Sequence, residues 1–433
     1  MNLNSTKIAI IGQGYVGLPL SLEFAKHFPT IGYDISKERI SELKNSQDST
    51  LEASFDEINL HLKNNLNLSN RGYFPTAILS DIQECNVFIV TVPTPIDDTK
   101  RPNLNPLKQA SEAIASILKK NDVVIYESTT FPGCTEDFCI PILEKNSGLE
   151  FNKDFFVGYS PERINPGDKF NTLPKIKKVT SGSNLESANF IDNLYQKIII
   201  AGTHKAPSIK VAEASKAIEN AQRDVNISFV NELAILFDKI GINTADVLEA
   251  AATKWNFLNY KPGLVGGHCI SVDPYYLAYK AEKVGYIPNV ILSGRRVNDQ
   301  MGNFIADKVI KLMISKNILI NQSKTLILGF TFKENCPDIR NTKIIDIYRE
   351  IKDFGSIPTI FDPWANPELI EKEYGISSTN KVEEIINQKY DAIILAVAHR
   401  EFLDLDLENL KTSNGIIYDC KNVLNRKIVD GVL

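Results

Sequence analysis

An α/β architecture, with two Rossmann-like doubly wound parallel-sheet domains joined by a central helical domain, is the fold this sequence predicts. Three observations carry it. Short β-branched runs alternate with helical stretches through the first 200 residues, the same alternation resumes after about residue 320, and one long helical run lies between them. Strands alternating with helices form parallel sheets, because each crossover helix covers a sheet face. A chain of 433 residues also exceeds what one core organises.

The elements follow in order. Lys7 to Ile11 is a strand leading into Gly12-Gln13-Gly14-Tyr15-Val16-Gly17, and Pro19 to His27 has helical spacing. Thr30 to Ile35 is the second strand, followed by Val87–Val92, Asp122–Tyr126 and Phe155–Gly158, with a helix over Asn105–Lys119. From Ser208 to about Ile240 the chain is almost free of Gly and Pro. Apolar residues recur there at Val211, Ala214, Ile218, Ala221, Val225, Phe229, Leu233 and Leu236. That spacing predicts a helix too long for one small domain to bury, which links domains and offers a dimer surface; an ordinary core helix is the alternative. Strands then return at Thr325–Gly329, Thr359–Asp362, Asp391–Val397 and Ile416–Asp419, without a second GxGxxG. A sheet of this kind can still bind another nucleotide at its strand ends. The expected domains are residues 1–204, 205–305 and 306–433.

Composition narrows the partners. Hydrophobic residues make up 43% and charged residues 23%, an ordinary globular balance. The formal net charge of −5, without a basic stripe, argues against nucleic acid. No apolar run approaches the roughly 18 residues of a membrane span. The N-terminal residues lack the plan of a signal peptide, so a cytoplasmic location is expected. Cys85, Cys134, Cys139, Cys269, Cys336 and Cys420 are scattered without metal-site spacing, so no metal is expected and the thiols should be free.

The glycine loop sits between a strand and a helix, and Asp34 closes the second strand 22 residues after Gly12. In that context Gly12, Gly14 and Gly17, with Tyr15 and Val16, form a dinucleotide-binding turn that lets a pyrophosphate approach a helix N-terminus. The Asp34 carboxylate would bind ribose hydroxyls and repel a 2′-phosphate, which favours NAD over NADP. Arg39 could stack on adenine; a solvated helix position explains it equally well. Thr91-Val92-Pro93-Thr94-Pro95 and Glu127-Ser128-Thr129-Thr130 end strands, where ligands sit in such folds, or where hydroxyls simply cap loops.

Ser160-Pro161-Glu162-Arg163-Ile164-Asn165-Pro166-Gly167 is a polar loop whose carboxylate could act as a base, although surface placement is the simpler reading of Glu162 alone. Lys216 and Asn220, spaced i, i+4 on the long helix, could stabilise a developing oxyanion or form a solvated stripe. Cys269 lies in Gly266-Gly267-His268-Cys269, with Asp273 four residues on. A hydride acceptor together with one thiol in a glycine-rich turn suggests an alcohol carried through a thiol-bound aldehyde to an acid.

These motifs, with Lys261-Pro262-Gly263-Leu264-Val265-Gly266-Gly267-His268-Cys269 and Gly329-Phe330-Thr331-Phe332-Lys333-Glu334-Asn335, resemble the UDP-glucose/GDP-mannose dehydrogenase family over essentially the whole chain. Within it the chain looks most like the bacterial UDP-N-acetylhexosamine 6-dehydrogenases that supply capsules and O-antigens. The resemblance implies NAD as cofactor, a UDP-sugar substrate held by the C-terminal domain, and a homodimer. It places Cys269 at the thiol nucleophile and Lys216, Asn220 and Asp273 at the groups handling the alcohol proton and oxyanion. Glu162 falls at the base for thioester hydrolysis, supported by Thr129. Asp34, Arg39, Thr94, Thr129 and, from the C-terminal domain, Arg340 fall at cofactor contacts. Arg163, Gly266 and Lys333, with Glu162, Lys216 and Asn220, fall at substrate contacts. Two departures from the UDP-glucose branch point to an N-acetylated sugar. Val272 stands where that branch carries a lysine, and Lys421-Asn422 replaces a paired arginine. A two-electron dehydrogenase of the 6-phosphogluconate type would need neither Cys269 nor the second sheet. A non-enzymatic sensor would leave the polar set unexplained.

Overall fold

The computed structural model describes every residue except Asp98, residues 165–169 and residues 268–269. Cys269 and His268, and Asn165 to Gly167 of the polar loop, therefore lie outside the described residues. The chain forms two compact units. One comprises residues 1–219 and 275–286, the other residues 220–274 and 287–433.

The first unit holds an eight-stranded sheet: β1 (Ile8–Ile11), β2 (Pro29–Tyr33), β3 (Gly72–Thr76), β4 (Val87–Val90), β5 (Val123–Tyr126), β6 (Phe156–Tyr159), β7 (Lys178–Gly182) and β8 (Thr203–Lys205). Its order is β3-β2-β1-β4-β5-β6-β7-β8. The central strands β1, β4, β5 and β6 are short, largely apolar and buried along their whole length. Strand order reverses between β1 and β4, which opens a crevice at their carboxyl ends. The expectation of a wholly parallel sheet needs one correction: β7 runs antiparallel to β6. Between them the described residues carry only a one-turn helix, Leu173–Lys175, and without a crossover helix the chain returns in the opposite direction.

The second unit holds the five-stranded parallel sheet β10-β9-β11-β12-β13, built from β9 (Lys324–Leu328), β10 (Ile357–Phe361), β11 (Tyr390–Leu395), β12 (Lys411–Asp419) and β13 (Gly431–Val432). On one face Ile327, Ile394 and Ile416 pack with Met301, Ile305 and Val309 of helix Asn289–Ser315; on the other lie Leu326, Ile393 and Phe402.

Helix Ile209–Ile240 spans 32 residues and crosses the division between the units. Apart from Ile209 and Val230, its buried positions carry small or polar residues. Ala212, Glu213, Lys216, Ala217, Asn220, Ala221, Asp224, Ser228, Asn231 and Ala234 are buried, whereas Val211, Ile218, Phe229 and Leu236 are exposed. A periodic run of small and polar side chains faces inward at spacings of three and four, and much of the apolar stripe faces solvent. Among the described residues no helix is long and apolar enough to cross a membrane.

Candidate active site

In the first unit the glycine loop lies across the ends of β1, β2 and β4. The Gly12 amide donates to the Tyr33 carbonyl at 2.8 Å and the Thr91 hydroxyl to the Gly12 carbonyl at 2.8 Å. Gly12 has φ +94°, which favours glycine. A Cβ on Gly17 would lie 1.8 Å from the Gly12 carbonyl oxygen, so only glycine lets this helix start so close to the strand. A Cβ on Gly14 would meet nothing within 4 Å, which leaves open space where a pyrophosphate would approach.

Asp34 follows β2. One carboxylate oxygen accepts the Gln13 amide at 2.7 Å and the other the Ser36 amide at 2.9 Å. Two ion-strengthened bonds fix the carboxylate beside the loop, and each oxygen keeps a lone pair for a ribose hydroxyl. Arg39 is not a freely solvated residue. Its guanidinium donates to the Gln13 carbonyl at 2.8 Å, to buried Asp48 at 2.8 Å and to Glu42 at 3.1 Å. With its in-plane donors occupied, the face of the guanidinium is what remains for an adenine ring. Tyr15 and Val16 are both half-buried in the same loop. These residues fit NAD.

Thr94 and Thr129 are joined across the strand ends, since the Thr94 hydroxyl donates to the Thr129 carbonyl at 2.8 Å. The phenol of Tyr276 donates to the Thr94 carbonyl at 2.7 Å. Glu213, on the long helix, takes the hydroxyl of Thr130 at 3.2 Å and the amides of Gly133 at 2.5 Å and Thr135 at 2.8 Å.

Glu162 is buried, not superficial, at 7% exposure. One carboxylate oxygen accepts the Arg163 amide at 2.6 Å and the Ile164 amide at 2.5 Å; the other accepts the Lys178 ammonium at 3.0 Å. Burial alone would raise its pKa, but Lys178, the Ile164 amide and Lys216 together outweigh burial and hold it below the usual carboxylate range. Lys216 is itself buried and, among the described residues, enters no ion pair. Arg163 forms a two-pronged pair with Glu219, at 2.8 and 3.2 Å, and donates to the Lys177 carbonyl at 2.7 Å.

In the second unit Asn220 donates its amide to the carboxylate of Asp273, and both are buried. Arg223 donates to the Asn220 carbonyl at 2.9 Å, which sets the direction of that amide. Asp273 begins helix Asp273–Lys283, where a negative charge is favoured. Asn231 fixes the root of the glycine-rich turn: it donates to the Gly263 carbonyl at 3.0 Å and accepts the Gly263 amide at 2.8 Å. A Cβ on Gly266 would lie 2.8 Å from the Asn341 carbonyl, and one on Gly267 2.9 Å from the Phe332 ring. The turn therefore packs against the segment carrying Lys333, which is half-buried, and Arg340, whose guanidinium grips Asp338 at 2.6 and 2.9 Å.

The second sheet repeats the geometry of the first with a different outcome. Gly329 has φ +94° and its amide donates to the Phe361 carbonyl at 2.8 Å. Asp362 follows β10 as Asp34 follows β2. Its carboxylate, though, is 1% exposed and is taken by the Phe330 amide at 2.6 Å, the Thr331 amide at 2.9 Å and His399 at 3.1 Å. The acid is used within the fold.

Sequence reasoning missed Lys178 and Glu213, and it named Glu127 only within a strand-end motif, without a role of its own. Glu127 offered a faint signal, as an acid continuing an apolar strand. Cys85, Cys134, Cys139, Cys336 and Cys420 are all buried, and burial pushes the Cys85 thiol up to about 12. Among the described residues no group of three or more His, Cys, Asp or Glu could hold a metal.

A dinucleotide crevice fitted to NAD, with the buried Glu162 carboxylate and Lys216 in the same unit and the buried Asn220–Asp273 pair in the second, defines a NAD-dependent dehydrogenase. The chain belongs to the UDP-glucose/GDP-mannose dehydrogenase family: its NAD binding domain matches residues 6–199, its central domain residues 210–300 and its UDP binding domain residues 326–426. It is 53% identical over 426 residues to a UDP-N-acetyl-D-glucosamine 6-dehydrogenase of Pseudomonas aeruginosa, covering 98% of each chain. It is 48% identical to Protein CapL of Staphylococcus aureus over 98% of this chain and 97% of that one. Among solved structures, the UDP-D-ManNAc dehydrogenase of Pyrococcus horikoshii superposes with a TM-score of 0.85 at 28% identity, over 97% of this chain and 96% of the other.

Proposed function

We propose that this enzyme oxidises the C6 alcohol of a UDP-N-acetylhexosamine, UDP-GlcNAc in the first instance and UDP-GalNAc next, to the uronic acid. One alcohol, two NAD⁺ and one water become one carboxylate, two NADH and three protons. Bound NAD supplies the hydride acceptor. In this reading Lys216, Asn220 and Asp273 take the alcohol proton and stabilise the oxyanion. Cys269 adds to the aldehyde carbon and retains the acyl group as a thioester after the second oxidation. Glu162, supported by Thr129, then removes a proton from the water that releases the acid. Arg163, Gly266 and Lys333 hold the sugar nucleotide, and Arg340 reaches the cofactor. The three domains are residues 1–204, 205–305 and 306–433.

The observation that carries the reading is the buried Asn220–Asp273 pair, whose carboxylate lies four residues past Cys269 in sequence and whose amide is oriented by Arg223. A buried carboxylate is tolerated only when it is hydrogen-bonded, and Asn220 supplies such a bond here. The five described cysteines are buried, which supports reading Cys269 as the reacting thiol. Val272, at 1% exposure, packs inside the fold, in keeping with a site that lacks the lysine of the UDP-glucose branch. The outward apolar residues of the long helix, together with Trp255 at 92% exposure, favour a homodimer. Its place is the cytoplasm, supplying uronic acid for capsule or O-antigen polysaccharide.

The test is NADH stoichiometry across UDP-GlcNAc, UDP-GalNAc, UDP-glucose and GDP-mannose. Two NADH per sugar, with the best kcat/KM on an N-acetylated UDP-sugar, is expected. One NADH per sugar would refute the four-electron course.

A further inference from the structure

Behind Glu162 lies a charge cluster that the reaction above does not use. Lys178, the first residue of β7, is 1% exposed and places its ammonium 2.7 Å from Glu127 and 3.0 Å from Glu162. Glu127, which directly follows β5, is also 1% exposed, and its second oxygen accepts the phenol of Tyr195. The ammonium also lies 5.4 Å from the centre of the Tyr195 ring. Lys216, on the long helix, adds a further positive charge near Glu162, and the Arg163–Glu219 pair flanks it. A single Lys–Glu pair would satisfy the needs of folding. A second buried carboxylate on the same ammonium is a cost without structural return.

Proton transfer supplies the return. If Lys178 had Glu162 as its sole partner, a proton arriving on Glu162 would strand an unpaired ammonium in the interior, and Glu162 would be a very weak base. With Glu127 present, protonated Glu162 leaves a neutral Glu127–Lys178 ion pair.

We propose that Glu127 and Lys178 are positioning residues that set the proton affinity of Glu162, the Lys178 ammonium staying paired with the Glu127 carboxylate as Glu162 takes the proton of the attacking water. The water oxygen bonds the thioester carbon, its proton goes to Glu162, the C–S bond breaks, and the sulfur leaves as the Cys269 thiolate. The acid's own proton goes to solvent. The inference rests on the reading of Glu162 as the hydrolytic base. Burial, opposed by Lys178, pushes Glu127 up to about 7, while Lys178 and the Ile164 amide hold Glu162 below the usual carboxylate range against burial.

The experiment is rapid-quench single turnover with UDP-GlcNAc and NAD, following acid release from the enzyme after a jump from neutral pH to values between 3 and 9.5, a window that spans the acidic limb of a Glu162 held below the usual carboxylate range. Glu127→Gln removes the second carboxylate, so the acidic limb should move down by about one pH unit or more, and the plateau rate should fall. Lys178→Met removes the cation and leaves two carboxylates together, so the limb should move up by a similar amount. Lys178→Arg should restore it. A merely structural role would not move the limb in opposite directions. If Lys178→Met does not fold, the downward shift in Glu127→Gln decides. Limbs that stay in place, or move together, in folded variants that bind NAD overturn the proposal. Glu162→Gln is the control: a wild-type profile there would instead overturn the assignment of the base itself.

Discussion

Replacing Glu162 with glutamine keeps the shape of the side chain and changes two things. The base is gone, and an amide NH₂ must occupy one of two positions. If the new carbonyl keeps the Arg163 and Ile164 amides, the NH₂ faces the Lys178 ammonium, which stood 3.0 Å from the carboxylate. Flipping the amide sets NH₂ against two backbone N–H groups instead. Either way a donor meets a donor, at roughly 1–3 kcal/mol of stability, although Lys178 keeps Glu127. A drop in Tm of several degrees with a folded, NAD-binding enzyme is expected. For turnover, loss of a general base costs about 10²–10⁴ in rate, or roughly 3–5 kcal/mol of activation free energy. Both oxidations precede hydrolysis, so mixing with saturating NAD and UDP-GlcNAc should give a burst of two NADH per active site and then a slow phase. Mass spectrometry of the stalled enzyme should locate a uronyl adduct on Cys269. A burst of one NADH would mean that the block falls at the aldehyde. Normal steady-state turnover would remove Glu162 from the mechanism.

Further outcomes follow from the same residues. Asp34→Ala removes the carboxylate between the Gln13 and Ser36 amides, so NAD binding should weaken by roughly 1–3 kcal/mol and the preference over NADP should shrink; equal kcat/KM for both cofactors in the wild type would refute the assignment. Cys269→Ser should lose acid formation by several orders of magnitude while still binding both ligands, because serine is a far poorer nucleophile and leaving group at neutral pH; near-wild-type acid by NMR would refute the covalent course. An N-acetylated UDP-hexosamine should be preferred over UDP-glucose by about tenfold or more. A higher kcat/KM on UDP-glucose would count against reading Val272 and Lys421-Asn422 as specificity residues.

Much of the fold was legible because β1, β4 and β5 are short runs rich in β-branched residues, and β6 a short run rich in aromatics, all buried on both faces. The strands that escaped notice have physical reasons to do so. β3 contains Pro75, β7 opens on Lys178, and β8 is the polar triplet Thr203-His204-Lys205. The long helix was legible in length but not in orientation. Periodicity marks the apolar stripe, and only packing shows that polar residues face inward while Phe229 and Leu236 face out. At the site, motif spacing located Asp34, Asn220 and Asp273. What it could not show is burial, which decides whether Glu162 and Lys216 are surface charges or held groups. Glu127 and Lys178 meet through long-range strand pairing, which no local pattern encodes.

Glu213 gives the first unit a mechanical property. Its carboxylate clamps the segment from Thr130 to Thr135, and Lys216 stands three residues further along the same helix. The Thr129 segment and the Lys216 side chain are thereby geared to one rod. A small rotation of the helix about its axis would carry both together, so the cofactor side cannot drift while the lysine stays in place. Hydrogen exchange at the Gly133 and Thr135 amides reads this gearing directly. Those two protons should leave together, at the rate at which the rod releases its grip.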